Sequence, residues 1–574
     1  MRKNKIAVCL MTALLLPVMA LTELVSMQEE NYPLSAEILT SGGSEKIACW
    51  WKQDCYYVFL PSGADPNRTK LVTDPLYPVW IEGQRIDSST VCGEFPFNEP
   101  LTLTSKRWGR TYEEQVFFCQ SANAPTLYID TASGSMDYIH KEKGNCEAGV
   151  LRLYDQSGEF NCDAQIRAIN GRGNGTWESD KKPYSVELTQ KTDLLGMGAA
   201  KKWILLANYY DDSNISNKMC FDFAAEVGCA YTPECQWVDL YLNGNYAGLY
   251  LLSERNEVDS QRVDIEENDS FLLSMELEER WNGTNYPAFL SMHGNLLRIH
   301  HAGMPADWAR EIWQSAEDAV FSEDGVDPRT GKRWEELIDT ESWAQQYLLW
   351  EVFAEFDAGT ISKFFYYDPQ TDKIYAGPVW DMDNILNRIG IHPPNILAAQ
   401  RKYGWNRDEI SLFYRLYQLD GFRETVKKLY REEYRPRLLE LAETGMQAYL
   451  AQSLPAARLN CIRWETGDPA ERIASMEQYL KARIAFLDDY LGHESDYCVL
   501  EVLSEPQWRS FAVKRGETVD FLSTRDVIWV DYETGEPFDL TAPMTRDRAV
   551  MRTSASNPSA EESATEYTQC EETE

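Results

Sequence analysis

Two seven-residue arms, ISKFFYY (361–367) and IYAGPVW (374–380), flank the turn sequence DPQTDK (368–373). Asp and Pro favour a chain reversal, so the arms predict a β-hairpin. At about 3.3 Å per residue, each arm travels roughly 23 Å out and back. Equal arms return Asp381 to the end where Asp357 began. Two carboxylates distant in sequence then share one small space, where like charges repel unless a cation sits between them. Mg²⁺ takes one or two carboxylates plus phosphate oxygens, so the stretch WDMDN (380–384) fits a metal–phosphate site. Asp381 and Asp383 also fit the capping of a turn or helix start, and spacing alone leaves both meanings open.

Other stretches bear on that choice. INGRGNGTWESDKKPYSVEL (169–188) sets Arg172, Gly173, Asn174 and Gly175 between two predicted strands, with Lys181 and Lys182 following. Glycines let backbone N–H groups approach an anion, although a simple turn gives the same pattern. In KKWILLANYYDDSNISNKMCFDFAAEVG (201–228), a strand runs into capping residues, then into a helix ended by Gly228. WVDLYLNGNYAGLYLLSE (237–254) is a hairpin about Asn243-Gly244, and Glu254 at its end can pair with a lysine.

The chain has 574 residues, enough for two to four domains. Its 91 acidic and 55 basic residues give a net charge of −36, which argues against nucleic-acid binding because phosphate backbones are repelled. MRKNK followed by IAVCLMTALLLPVMA reads as a signal peptide over 1–20, with Val18-Met19-Ala20 as the cleavage site. No later stretch is long and apolar enough to span a membrane. Setting Cys9 aside leaves 12 of 13 cysteines, and Cys49/Cys55, Cys92/Cys119 and Cys146/Cys162 lie close enough to bridge or to stay as free thiols.

Residues 30–131 alternate in short runs and predict an antiparallel β-sandwich. Strands then long helical patterns over 135–495 predict an α+β, two-lobed domain. Residues 498–553 turn β again as a small module, and 554–574 form an acidic Ser/Thr/Glu tail expected to be disordered.

The phrases GRGNGTW…KKPYSVEL, KKWILLAN…DFAAEVG, VDLYLNGNYAGLYLLSE and FDAGTISKFFYYD…GPVWDMDN, in that order, resemble the CotH family, the spore-coat protein H type of secreted kinase-like protein. The resemblance covers about 150–390, and the helices to about 495 complete the domain. It implies an atypical protein-kinase-like fold that transfers the γ-phosphate of ATP to Ser or Thr of exported proteins, with Mg²⁺ or Mn²⁺. By resemblance, Asp357 matches the catalytic aspartate and Asp381, with Asp383 nearby, the metal-binding motif. Arg172, Asn174 and Lys182 fall in the stretch that meets the nucleotide's phosphates, with Glu254 as a partner for the lysine. The chain departs from the family pattern at Glu355 and Ser362, where Asn is usual, and at Ser216, where Arg is usual.

The flanks resemble cadherin- or immunoglobulin-like modules at the N-terminal side and a Listeria–Bacteroides-type repeat over 498–553. Both imply secretion or placement at the surface of a bacterial cell, with contact to that surface or a host matrix through the β modules. The departures leave a pseudokinase serving as adhesin or scaffold as the rival. A secreted glycosidase, favoured by 18 Trp and paired carboxylates, explains neither the Gly-Arg-Gly-Asn loop nor the lysines after it.

Overall fold

The computed structural model describes residues 34–553, apart from 108, 282–285, 389, 391, 404–408, 505–508 and 524–526. The expected signal peptide 1–20 and acidic tail 554–574 lie outside the described residues. The architecture is mixed α+β. The chain divides into two compact units: Met1–Lys218 with Glu234–Arg255 and Gln447–Arg472, and Met219–Pro233 with Asn256–Met446 and Ile473–Glu574. Among the described residues, no helix is long and apolar enough to cross a membrane.

The first unit is built on a closed seven-stranded barrel. Its strands run Thr126–Thr131, Cys146–Tyr154, Phe160–Gly171, Tyr184–Asp193, Ala199–Leu206, Asn245–Glu254 and Cys235–Leu242, in that spatial order. Side chains alternate across a strand, so Leu127, Ile129, Leu151, Leu153, Val186 and Leu188 fill one core. Parallel pairing of Thr126–Ile129 with Asp239–Leu242 shuts the barrel. The hairpin expected at Asn243-Gly244 forms, with φ of 49° and 78° at the two turn residues. Both values are positive, as a two-residue hairpin turn requires. The helical residues 447–464 dock on this hairpin: Asn460 Oδ1 accepts from Leu249 N at 3.2 Å, and Trp464 Nε1 donates to Ala247 O at 2.9 Å.

Ahead of the barrel stand a three-stranded sheet (Leu34–Thr40, Gly43–Ala48, Lys70–Thr73) and a six-stranded sheet, which share an apolar cluster including Ile38, Val58, Leu103 and Phe118. Pairing is not uniformly antiparallel, as the alternation had led us to expect. Cys55–Leu60 runs parallel to Gln115–Gln120. The eleven described cysteines form no disulfide with one another, and most of them are buried.

The second unit holds two five-stranded sheets. One is ordered Ala288–Leu290, Leu296–Ala302, Phe271–Glu276, Lys363–Asp368, Lys373–Ala376. The other combines Ile396–Leu397 with strands of the C-terminal β segment: Arg509–Lys514, Tyr497–Val502, Arg548–Thr553 and Ile528–Asp531. The helical pattern after Phe422 is not one regular helix. Two π-helical stretches, Tyr430–Tyr434 and Leu441–Gly445, interrupt it.

Arg483, fully buried on the helix Pro469–Tyr490, clasps this unit. Its Nη2 donates to Glu351 Oε1 at 2.5 Å, and Nη1 donates to Pro394 O at 2.6 Å and also to Ile396 O. Glu351 Oε2 accepts from Ala399 N at 2.7 Å. Removing one partner of such a buried pair strands the other charge in apolar surroundings. Arg483→Met is therefore expected to cost about 3–5 kcal/mol, read as a lowered thermal midpoint.

In the barrel, Asp239 is fully buried and accepts from the Tyr246 hydroxyl at 3.2 Å. Burial pushes its carboxyl up to about 7. In the unfolded chain it titrates near 3.9, so the folded state holds the extra proton. The stabilisation is complete below about pH 4 and is lost as pH rises through 7. Asp239→Asn is expected to flatten the fall in thermal midpoint between about pH 4 and pH 7 relative to the unaltered chain.

Candidate functional site

Residues 353–387 bring two acidic turns together. The helix Thr340–Val352 is capped by Asp339, whose Oδ1 accepts from Ser342 N at 2.8 Å. The chain leaves this helix through Ala354 and Gly359, both in the left-handed region (φ 48° and 66°). It then enters the strand Lys363–Asp368, which pairs antiparallel with Lys373–Ala376 in the register Phe365–Ala376 to Asp368–Lys373. The returning arm runs past Trp380, which stacks on Phe221 at 5.8 Å. Two backbone hydrogen bonds close the loop: Phe356 N donates to Asn384 O at 3.0 Å, and Leu386 N donates to Phe353 O at 2.8 Å. Asp381 itself sits at φ 60°, and Ser362, Leu386 and Asn387 also have positive φ. Such conformations cost of order 1–3 kcal/mol each and gather where a site over-determines its backbone.

Asp357 and Asp381 are both half-buried and both act on one cation, the Lys363 ammonium. Lys363 opens a strand buried on both faces, so its side chain enters the interior and is 1 % exposed. Its Nζ lies 2.9 Å from Glu355 Oε2, and the Glu355 side chain is equally buried. The other carboxylate oxygen, Oε1, accepts from the backbone N–H of Asp357 at 2.9 Å. Burial pushes Glu355 up to about 7 against the pull of Lys363, and the Asp357 charge adds to the rise. Burial alone would push Lys363 down, but Glu355, Asp381 and Asp357 outweigh it and hold the ammonium above its ordinary value.

Asp383 lies two residues on, half-buried. Among the described residues no three His, Cys, Asp or Glu side chains form a complete metal cage. The donor set near Asp381 fits a divalent ion that completes its shell with ligand phosphate and water, the mode Mg²⁺ prefers.

The remaining predicted residues belong to the first unit. Arg172 N donates to Pro183 O at 3.1 Å, holding the glycine-rich loop against the start of the next strand. Asn174 stands at the N-cap position of a one-turn helix, Gly175–Glu178. Gly173 (φ 79°) has no room for a side chain, because a Cβ there would lie 2.2 Å from Thr176 Oγ1. Lys182 Nζ donates to Trp177 O at 2.9 Å and Ser179 O at 3.1 Å, so two of its three donors order the loop itself. Glu254, expected to pair with a lysine, is buried and accepts from Glu234 N at 2.9 Å. Ser216, noted as a departure, is buried and its N–H donates to Asp211 Oδ2 at 2.9 Å.

Three charged residues escaped the sequence reading as site groups. Lys363 and Glu355 are the buried pair just described. Lys181, not Lys182, is the fully buried lysine, and its Nζ donates to Ala207 O and Leu249 O, each at 2.6 Å. Pro183 separates these lysines from the strand that begins at Tyr184, so strand alternation does not reach back to them. For the pair, the available signal was an acid and a base at the two ends of a short loop inside otherwise apolar sequence.

A protein-family model described as CotH kinase protein matches residues 169–487, more than half of the chain. The comparison with curated proteins returns no match. Gly173→Ala is expected to destabilise the loop by about 1–3 kcal/mol, from the side-chain clash and the left-handed backbone together, and to speed amide exchange over 173–179.

Proposed function

Since the chain belongs to the CotH kinase protein family, we propose that it transfers the γ-phosphate of ATP to Ser or Thr hydroxyls of exported proteins, with one divalent cation, Mg²⁺ or Mn²⁺. The observation that carries this reading is the meeting of Asp357 and Asp381 beside one buried ammonium, locked by the backbone bonds between 353–356 and 384–386.

In this reading Asp357 receives the acceptor hydroxyl. Its backbone is fixed by Glu355, so the carboxylate meets the hydroxyl without reorganising. As the hydroxyl oxygen bonds to the γ-phosphorus, the bond to the bridging oxygen breaks and ADP leaves. The hydroxyl proton passes to Asp357 late in the step. Asp381, with Asp383, would hold the divalent ion, whose chemistry when bound is to neutralise charge on the phosphates. Arg172 and Asn174 supply phosphate contacts from the glycine-rich loop. Lys182 keeps that loop in shape while its charge stays beside it. The acidic surface and β-rich flanks favour work outside the cell, where the acceptors would be secreted or surface proteins.

The test uses the full chain with labelled ATP, Mg²⁺ or Mn²⁺, and casein as a generic acceptor. Transfer is expected, and Asp357→Asn and Asp381→Asn should each lower it about 100-fold or more. Absence of both labelling and thermal stabilisation by ATP with metal would overturn the reading. Stabilisation without transfer would assign the chain to nucleotide-dependent binding, as a scaffold.

A further inference from the structure

Lys363 raises a question that phosphoryl transfer by aspartates does not answer. A buried ion pair is costly, and apolar residues of similar volume usually serve stability as well or better. Here the pair sits within the turn that bears Asp357, in contact with that residue's own N–H. Nζ meets Glu355 Oε2 at 2.9 Å, and no other described protein group accepts from the ammonium's remaining donors. The ammonium also lies 5.6 Å from the centre of the Trp350 ring. A fully buried cation with unfilled donors therefore stands among three carboxylates, Glu355, Asp357 and Asp381. With Asp383 beside Asp381, carboxylates outnumber this one ammonium, so the charges of Lys363 and Glu355 bear on how a divalent ion is held there. The Glu355 and Lys363 side chains are the same device seen twice: an acid where the family pattern has an amide, and a base that keeps the acid from overloading the site.

We propose that Lys363, held by Glu355, is a built-in cation that offsets part of the acidic site's charge and so tunes its affinity for a divalent ion. The inference rests on the reading of Asp381 as a metal ligand. It makes Glu355 and Lys363 a compensating pair whose charges set metal affinity together.

The experiment is a Mn²⁺ titration of the full chain by electron paramagnetic resonance, without nucleotide and at low ionic strength. One saturable Mn²⁺ is expected. Glu355→Gln leaves the ammonium unbalanced beside Asp381, and should weaken Mn²⁺ binding about tenfold, the effect of one nearby charge. Adding Lys363→Met to Glu355→Gln removes that excess and should restore affinity to within about threefold of the unaltered chain. Lys363→Met alone should bind Mn²⁺ at least as tightly as the unaltered chain, and this arm decides the matter if Glu355→Gln does not fold. A merely structural pair would leave the double variant as weak as the single one, or weaker. That result, or weakened binding in Lys363→Met, overturns the built-in cation while leaving the metal reading of Asp381 standing. Absence of saturable Mn²⁺ in the unaltered chain overturns both.

Discussion

Two backbone hydrogen bonds, Phe356 N to Asn384 O and Leu386 N to Phe353 O, carry the candidate site. They tie the end of a buried helix to the end of a β-hairpin, and all the electrostatics described above follows from that tie. Without it, Asp357 and Asp381 would be separate surface acids, each stabilised by water. With it, both act on the buried Lys363 ammonium. Several positive-φ residues around the tie mean that the backbone there is set by its surroundings rather than by local preference. The Arg483–Glu351 clasp holds the last turn of the helix from which the chain leaves toward Glu355.

Much of this was legible in the sequence where local chemistry decides the outcome. The hairpin before WDMDN could be read because its turn residues favour reversal, although its strands, Lys363–Asp368 and Lys373–Ala376, are shorter than the expected arms and unequal. The Asn243-Gly244 turn could be read because few residues accept positive φ at both turn positions. The glycine-rich loop was visible as a loop, and Gly173 occupies it for the conformational reason that glycines usually do.

What stayed hidden depends on neighbours distant in sequence. The parallel partner of Cys55–Leu60 lies some sixty residues on, and alternation says nothing of strand direction. The π-helical turns after Leu429 retain the i+3/i+4 apolar spacing that reads as a plain helix. Glu355 looked like a lost amide ligand, because a sequence shows the substitution without showing the lysine that faces it. Lys182 looked like the more telling lysine, yet the protein buries Lys181 and uses Lys182 to satisfy carbonyls at the end of a one-turn helix.

The barrel's closure has a consequence for how the chain comes into being. Its first strand, Thr126–Thr131, finds its last partner at Asp239–Leu242, more than a hundred residues later. A chain that becomes free to fold from its N-terminal end can form the intervening hairpins early, but it cannot shut the cylinder until that distant strand is present. Long-range pairing of this kind is slow, and an unmet strand edge is a template for aggregation. The folding chain therefore passes through a stage in which an open sheet waits for its seam, and a chaperone that covers exposed edges would act there.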